Sequence, residues 1–205
     1  MAQSDKKLII IGASGHGKVI ADIAIACGYE IVGFLDDDVS KRESYGYPVL
    51  GTLRDIEMYD DCNFIIAIGN NAIRRKISCK YPFLSYVILI HPSAVVSKSA
   101  KIGDGTVVMP QAVINAGAVI GRHCIVNTAS VIEHDCRIEN YTHISPGAVL
   151  CGTVSVGENT WVGAGSTVIN NVSICSDTVI GAGSTVTKNI EKSGVYIGTP
   201  AHGLV

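Results

Sequence analysis

Residues 107–138 read VVMPQAVINAGAVIGRHCIVNTASVIEHDCRI, and every sixth position from Val108 onward is aliphatic: Ile114, Ile120, Val126, Ile132, Ile138. Extended in both directions, the register starts at Val96 and runs unbroken to Val186, sixteen aliphatic residues in all. Four places after most of them stands a small residue, such as Ala112, Ala118, Cys124, Ser130 or Cys136; only Val154, Val172 and Ile190 depart. A period of six matches neither the 3.6 of a helix nor the 2 of a flat strand. It fits a β-solenoid whose coil has three short strands and three corners, eighteen residues in all. The large aliphatic residue then fills the prism, and Gly, Asn, Asp or Pro takes the corner. The register makes about five coils, a stack of roughly 24 Å at the ~4.7–4.9 Å spacing of neighbouring strands.

The residue before each inward position should point out of a flat face. These are Val107, Val113, Val119, Ile125 and Val131 in the early coils, then Arg137, His143, Val149, Ser155 and Trp161. Such a continuous apolar run is expected to meet the preceding domain or another chain, and a homo-oligomer explains it better.

Residues 1–92 have another rhythm. "KLIII" reads as a buried strand, "GASGHG" as a turn, and "KVIADIAIACG" as a helix closed by Gly28. A second strand, "EIVGFL", ends at Asp36-Asp37-Asp38; "GTLRDIEMY" looks helical, "NFIIAIG" is another strand, "NAIRRKISCKY" another helix and "YVILI" a last strand. Strands alternating with helices imply a parallel sheet. The expected organisation is therefore a Rossmann-like α/β domain over 1–92, then a β-helix over 93–205 with a C-terminal tail.

Composition narrows the function classes. Of 205 residues 47% are hydrophobic and 17% charged, and the net charge is −2, which speaks against nucleic acid or an anionic membrane as partner. Seven cysteines without CxxC spacing read as reduced thiols of a cytoplasmic protein. The apolar run near the start stops at Gly12, too soon for a signal peptide or a membrane span, so the chain is expected to be soluble and cytosolic.

Candidate sites fall in both halves. Gly12-Ala13-Ser14-Gly15-His16-Gly17 lies between a strand and a helix, where backbone N–H groups and the helix dipole favour an anion, although its G-x-x-G-x-G spacing is not the dinucleotide fingerprint. Asp36 and Asp37 close the second strand, where carboxylates suit donors on a base or ribose. His134 and Asp135 fall two and three places after inward Ile132, on a corner, while Glu133 should point out of the flat face. An imidazole there suits a general base, and an adjacent acid can orient it. His123, His134 and His143 occupy three different places in the hexad, which makes a three-histidine zinc site hard to arrange in one chain; no metal is expected.

With the hexapeptide repeat, "GASGHG", "FLDDD", "AIGNNAIRRKI", "LIHPSA", "NTASVIEHDC" and "GTPA", nearly the whole chain resembles the left-handed β-helix acetyltransferases that act on UDP-4-amino-4,6-dideoxy sugars, grouped with sialic acid O-acetyltransferases. The left hand of the coil is implied by this resemblance, as are a homotrimer, a UDP-sugar on the N-terminal domain and acetyl-CoA between neighbouring β-helices. The resemblance makes Ser14, Gly15, His16, Asp36, Asp37 and Gly69 the UDP-sugar residues, and Asn127 an amide near the reacting centre. It makes His134 the general base tuned by Asp135, where the family's best-known N-acetyltransferases have Glu, one methylene longer. His143 matches a histidine that contacts acetyl-CoA, and Gly152, Ala164 and Ala182 match the backbone lining its thioester and pantetheine groove. The implied reaction is direct attack of the sugar's 4-amino group on the thioester. O-acetylation of a sialic-acid-like sugar, or a non-catalytic nucleotide-sugar-binding scaffold, are the alternatives.

Overall fold

A computed structural model describes residues 6–204. Two compact units divide between Pro92 and Ser93.

In the first unit, β1 (Lys7–Ile11) leads through 12–14 into α1 (Gly15–Ala26), followed by β2 (Glu30–Leu35), β3 (Glu43–Ser44), β4 (Tyr47–Gly51), β5 (Asn63–Ile66) and α2 (Asn71–Lys80). The sheet order is β3-β4-β2-β1-β5, with β4, β2, β1 and β5 parallel and β3 hairpinned against β4. A strand buried on both faces needs an unbroken apolar run, and Leu8, Ile9, Ile10 and Ile11 of β1 are at most 1% exposed. Helix α1 lays Ile20, Ala21, Ile23 and Ala24 onto the core and ends at Gly28, whose φ of 77° only glycine adopts at little cost.

Three elements refine the sequence reading. The stretch Leu53–Tyr59 is a 3₁₀-helix, started by a capping box between Thr52 and Asp55. Helix α1 begins at Gly15, three residues early, because Ser14 is extended and serves as its N-cap. Of "YVILI", Tyr86 bridges to this sheet by pairing with Phe64, and Leu89–Ile90 forms a two-residue strand that is not part of it.

The second unit is a parallel β-helix of two-residue strands on three faces. Face one stacks Val95–Val96, Val113–Ile114, Val131–Ile132, Val149–Leu150, Thr167–Val168 and Thr185–Val186. Face two runs from Lys101–Ile102 through Arg137–Ile138 to Ser173–Ile174; face three runs from Val107–Val108 through His143–Ile144 to Val179–Ile180, then Val195–Gly198. Each residue pairs with the one eighteen places on, as Val113 with Val131 and Val131 with Val149. The aliphatic column fills the prism: from Val108 to Val186 every member is at most 2% exposed. Position three of each hexad turns the corner in the left-handed region, with φ between 53° and 74° from Gly105 to Gly183. Val154, Val172 and Ile190, the exceptions at the small position, are also buried inside. Of the outward aliphatics, Val107 and Ile125 are already covered in the single chain, while Val113, Val119 and Val131 are half-buried.

Candidate functional site

The strand order places β2 and β5 on either side of β1, so the loops after β1, β2 and β5 converge at the carboxyl end of the sheet, where open α/β sheets form a ligand crevice. A cavity of about 600 Å³ opens there, lined among others by Gly12, Ser14, Asp36, Asp37, Lys41 and Ile68, with Ile73, Lys76 and Lys80 from α2. The glycines of 12–17 divide the work. Gly12, at φ 108°, would put a Cβ 2.9 Å from the Ala67 carbonyl oxygen, and a Cβ on Gly17 would collide with the Gly12 carbonyl. Both therefore hold the turn tight. Gly15 has open space where its Cβ would stand, and the Ser14 side chain makes no capping bond, so the positive end of α1 is left accessible.

Asp36 and Asp37 line this cavity and also brace its loops. Asp36 Oδ2 accepts from the Ala13 N–H at 2.7 Å and from Lys41 Nζ at 2.8 Å, and Oδ1 accepts from the Asp38 N–H at 2.9 Å. Burial opposes its charge, but Lys41 and the two N–H groups outweigh that and hold the carboxyl below its ordinary range. Asp37 Oδ1 accepts from the Leu53 N–H at 3.0 Å. Gly69 lies beyond β5 with open space at its Cα, in a loop clamped by buried Arg74, which donates to the carbonyls of Ile68 and Gly69 and to Asn71 Oδ1. His16 is brought near the same guanidinium: burial, then the Arg74 charge, lowers its pKa to about 4, so its ring is neutral at physiological pH. Lys41, Arg74, Lys76 and Lys80 escaped the sequence reading. The i, i+4 spacing of Lys76 and Lys80, which puts both on one side of α2, was the available signal.

On the β-helix, the expected residues separate into two groups. His134 and Asp135 turn the corner from face one to face two, and His134 Nδ1 lies 2.9 Å from Asp135 Oδ2. The shorter acid thus reaches the ring and favours a proton on Nδ1, leaving Nε2 to accept one. Glu133 does not compete: its Oε2 approaches the His134 backbone N–H at 3.4 Å. One coil later lies Gly152. A Cβ there would sit 2.5 Å from His134 Nε2, so only glycine lets the imidazole lie where it does. The Gly152 N–H has no acceptor among the described residues.

The second group surrounds face three. Asn127 Nδ2 is 2.9 Å from His143 Nε2, and the His143 ring stacks on Trp161 at 5.4 Å between centroids with 6° between planes. Trp161 Nε1 donates to Ser145 Oγ at 2.6 Å. Ala164 and Ala182 sit one above the other on the corner from face three to face one, both exposed. Face one therefore separates Asn127, His143, Ala164 and Ala182 from His134, Asp135 and Gly152. Trp161 and Ser145 are further members that the sequence did not single out, although eighteen-residue spacing pairs His143 with Trp161 directly. No group of His, Cys, Asp and Glu among the described residues could hold a metal, and no described helix is long and apolar enough to cross a membrane.

Comparisons with known proteins match both halves. Residues 7–81 fit the model of the PglD N-terminal domain, and residues 99–132 and 153–188 fit that of the bacterial transferase hexapeptide (six repeats). The acetyltransferase domain of PglB from Neisseria gonorrhoeae FA1090 superposes with a TM-score of 0.93 at 41% identity, covering 98% of this chain and 100% of that one. A variant of perosamine N-acetyltransferase from Caulobacter crescentus, in complex with CoA and GDP-perosamine, gives 0.93 at 39% identity over 96% of this chain and 95% of its own. UDP-N-acetylbacillosamine N-acetyltransferase of Bacillus subtilis (strain 168) is 41% identical over 111 residues, 51% of each chain, so this chain spans about half the length of that curated relative.

An α/β domain of this strand order, followed by a hexapeptide prism with a His-Asp pair on its corner, defines a bacterial hexapeptide-repeat transferase, and the prism is the left-handed parallel β-helix. The chain belongs, within that class, to the family of nucleotide-sugar acetyltransferases with a PglD-type N-terminal domain.

Proposed function

We propose that the chain is an acetyl-CoA-dependent N-acetyltransferase acting on the 4-amino group of a UDP-linked amino-dideoxy sugar, with His134 as general base. The carrying observation is the corner itself: Asp135 occupies Nδ1, Nε2 is left to take a proton, and the Gly152 N–H beside it has no acceptor among the described residues. A sugar amine attacking a thioester must lose a proton, and the tetrahedral oxygen that forms needs a donor; these three groups supply both. The Bacillus relative supports the amino-sugar reading and the choice of uridine. The Caulobacter structures support a nucleotide sugar and CoA as ligands, one of them obtained with a histidine replaced by asparagine and another with a histidine replaced by alanine.

In this reading the cavity at the end of the first sheet holds the nucleotide sugar. Its diphosphate meets the accessible N-terminus of α1 near Ser14 and Gly15, with Lys76 and Lys80 as counter-charges. His16 and Gly69 shape the floor, and Asp36 and Asp37, which line the cavity while bracing its loops, meet donors of the base or ribose. Asn127, His143, Ala164 and Ala182 take acetyl-CoA, and a homotrimer sets these residues of one chain against His134 of the next. Replacing His134 by Ala should lower kcat by roughly 10²–10⁴ with both Michaelis constants little changed, since the imidazole acts when the amine loses its proton. Thiol release from acetyl-CoA, followed with a panel of UDP- and GDP-linked 4-amino sugars and their 4-hydroxy analogues, tests substrate and mechanism together. Near-normal turnover of His134→Ala, or release with the hydroxy sugars alone, would overturn the proposal.

A further inference from the structure

We propose that Gly117 is a positioning residue for the His134–Asp135 pair, its missing side chain being what lets the Asp135 carboxylate reach the imidazole. The inference rests on the acetyl-transfer reading above. Gly117 and Asp135 are eighteen residues apart and stand on the same corner in consecutive coils. Backbone conformation does not require glycine at this corner position: Gln111, His123, Ala129, Asp135, Tyr141, Thr153, Asn159, Asn171 and Asp177 all hold φ between 53° and 62° there. Ala129 in particular shows that a Cβ is tolerated.

Clearance rather than backbone conformation is what matters at Gly117, as at Gly105, where a Cβ would strike the His123 ring. A Cβ on Gly117 would stand 2.5 Å from Asp135 Oδ1, closer than such atoms approach. Gly147, Gly165 and Gly183 hold the same hexad position with φ of 64° to 68°, and a Cβ on any of them would meet nothing within 4 Å. The atom displaced at residue 117 belongs to the carboxylate whose other oxygen bonds His134 Nδ1 at 2.9 Å, so a turn that relieves the clash draws that oxygen off the ring. No neighbour replaces it. From the same corner the ring faces Glu133, directed to the backbone, and Asp135; the following coil presents the Cys151 thiol, and the preceding one presents Asn115, Ala116 and Gly117, none of which carries a carboxylate.

The pH dependence of kcat/KM for the full chain tests this with Gly117→Ala, Asp135→Asn, their combination, and Gly147→Ala as a control with the same backbone conformation. The expectation is that Gly117→Ala lowers kcat about tenfold, the scale of coupling within one hydrogen-bond network, with KM little changed. It should also move the acidic limb to lower pH, as Asp135→Asn does, and the double variant should go no further. Gly147→Ala should lower Tm but leave the limb in place. A limb that stays put in Gly117→Ala while moving in Asp135→Asn overturns the inference alone; a limb unmoved in both overturns the catalytic pair as well. Should Gly117→Ala fail to fold, adding Asp135→Ala should restore folding, because the nearest remaining atom to the new Cβ would be the residue 135 nitrogen at 3.7 Å. Failure of that rescue overturns the inference too.

Discussion

Burial sets the charge state of His16 before any ligand arrives, and the consequence is a stability that depends on pH. Desolvation and the Arg74 guanidinium lower its pKa from 6.5 to about 4. Between those values the unfolded chain binds a proton that the folded chain refuses, so the stabilisation is complete above about pH 6.5 and is lost as pH falls through 4. The difference is worth at most on the order of 3 kcal/mol. Thermal unfolding should therefore shift to lower temperature between pH 7 and pH 4.5, and His16→Gln, which carries no titrating group, should shrink that shift. An equal shift in the variant would mean that the acid sensitivity arises elsewhere. Asp36 acts in the same direction at still lower pH, because its lowered pKa makes its interactions with Lys41 and Ala13 stabilising only while it is ionised.

At the scale of elements, the β-helix is stabilised by one aliphatic column and the corners carry the chemistry. Ile144 in the middle of the column is fully buried. Its replacement by Ala should cost about 2–5 kcal/mol, since the surrounding coils cannot close a cavity without breaking register, and urea unfolding of the variant would measure it. Replacing outward Ser155, half-exposed on face two, by Ala should stay within about 0.5 kcal/mol. This division also explains what the sequence disclosed. The column recurs every six residues without exception, so the prism, its corners and the position of His134 on one of them could be read directly. The eighteen-residue coil aligns Gly152 with His134, Gly117 with Asp135 and Trp161 with His143 in the sequence already, but the clearances and the ring stacking between them emerge only in three dimensions. In the α/β unit, "YVILI" has strand composition, and Leu89–Ile90 is a strand, yet within the five-stranded sheet only Tyr86 finds a partner, because pairing is decided by the neighbours available rather than by propensity. Asp36 and Asp37 show what type and place alone do not tell: besides lining the cavity, they hold its loops by hydrogen bonds to Ala13, Asp38, Lys41 and Leu53.

For the whole molecule, the decisive fact is that face one lies between the two groups of β-helix residues. His134, Asp135 and Gly152 leave that face on one side, whereas Asn127, Ala164 and Ala182 precede it on the other, with His143 on face three. A single ligand served by both groups calls for two chains, each lending one side of its prism, and closed cyclic symmetry then repeats the site at every interface. For the homotrimer proposed above, light scattering of the full chain should give three times the monomer mass. Complementation makes the sharper test. His134→Ala and His143→Ala are expected to be impaired alone, but when co-expressed in equal amounts they should form mixed trimers in which about one interface in four joins an intact His134 to an intact His143 from the neighbour. Activity should then recover to about a quarter of the unmodified enzyme's, by the same count of interfaces. If both histidines served one site from the same chain, no mixed trimer would contain an intact pair, and the mixture would be no more active than the average of the two variants.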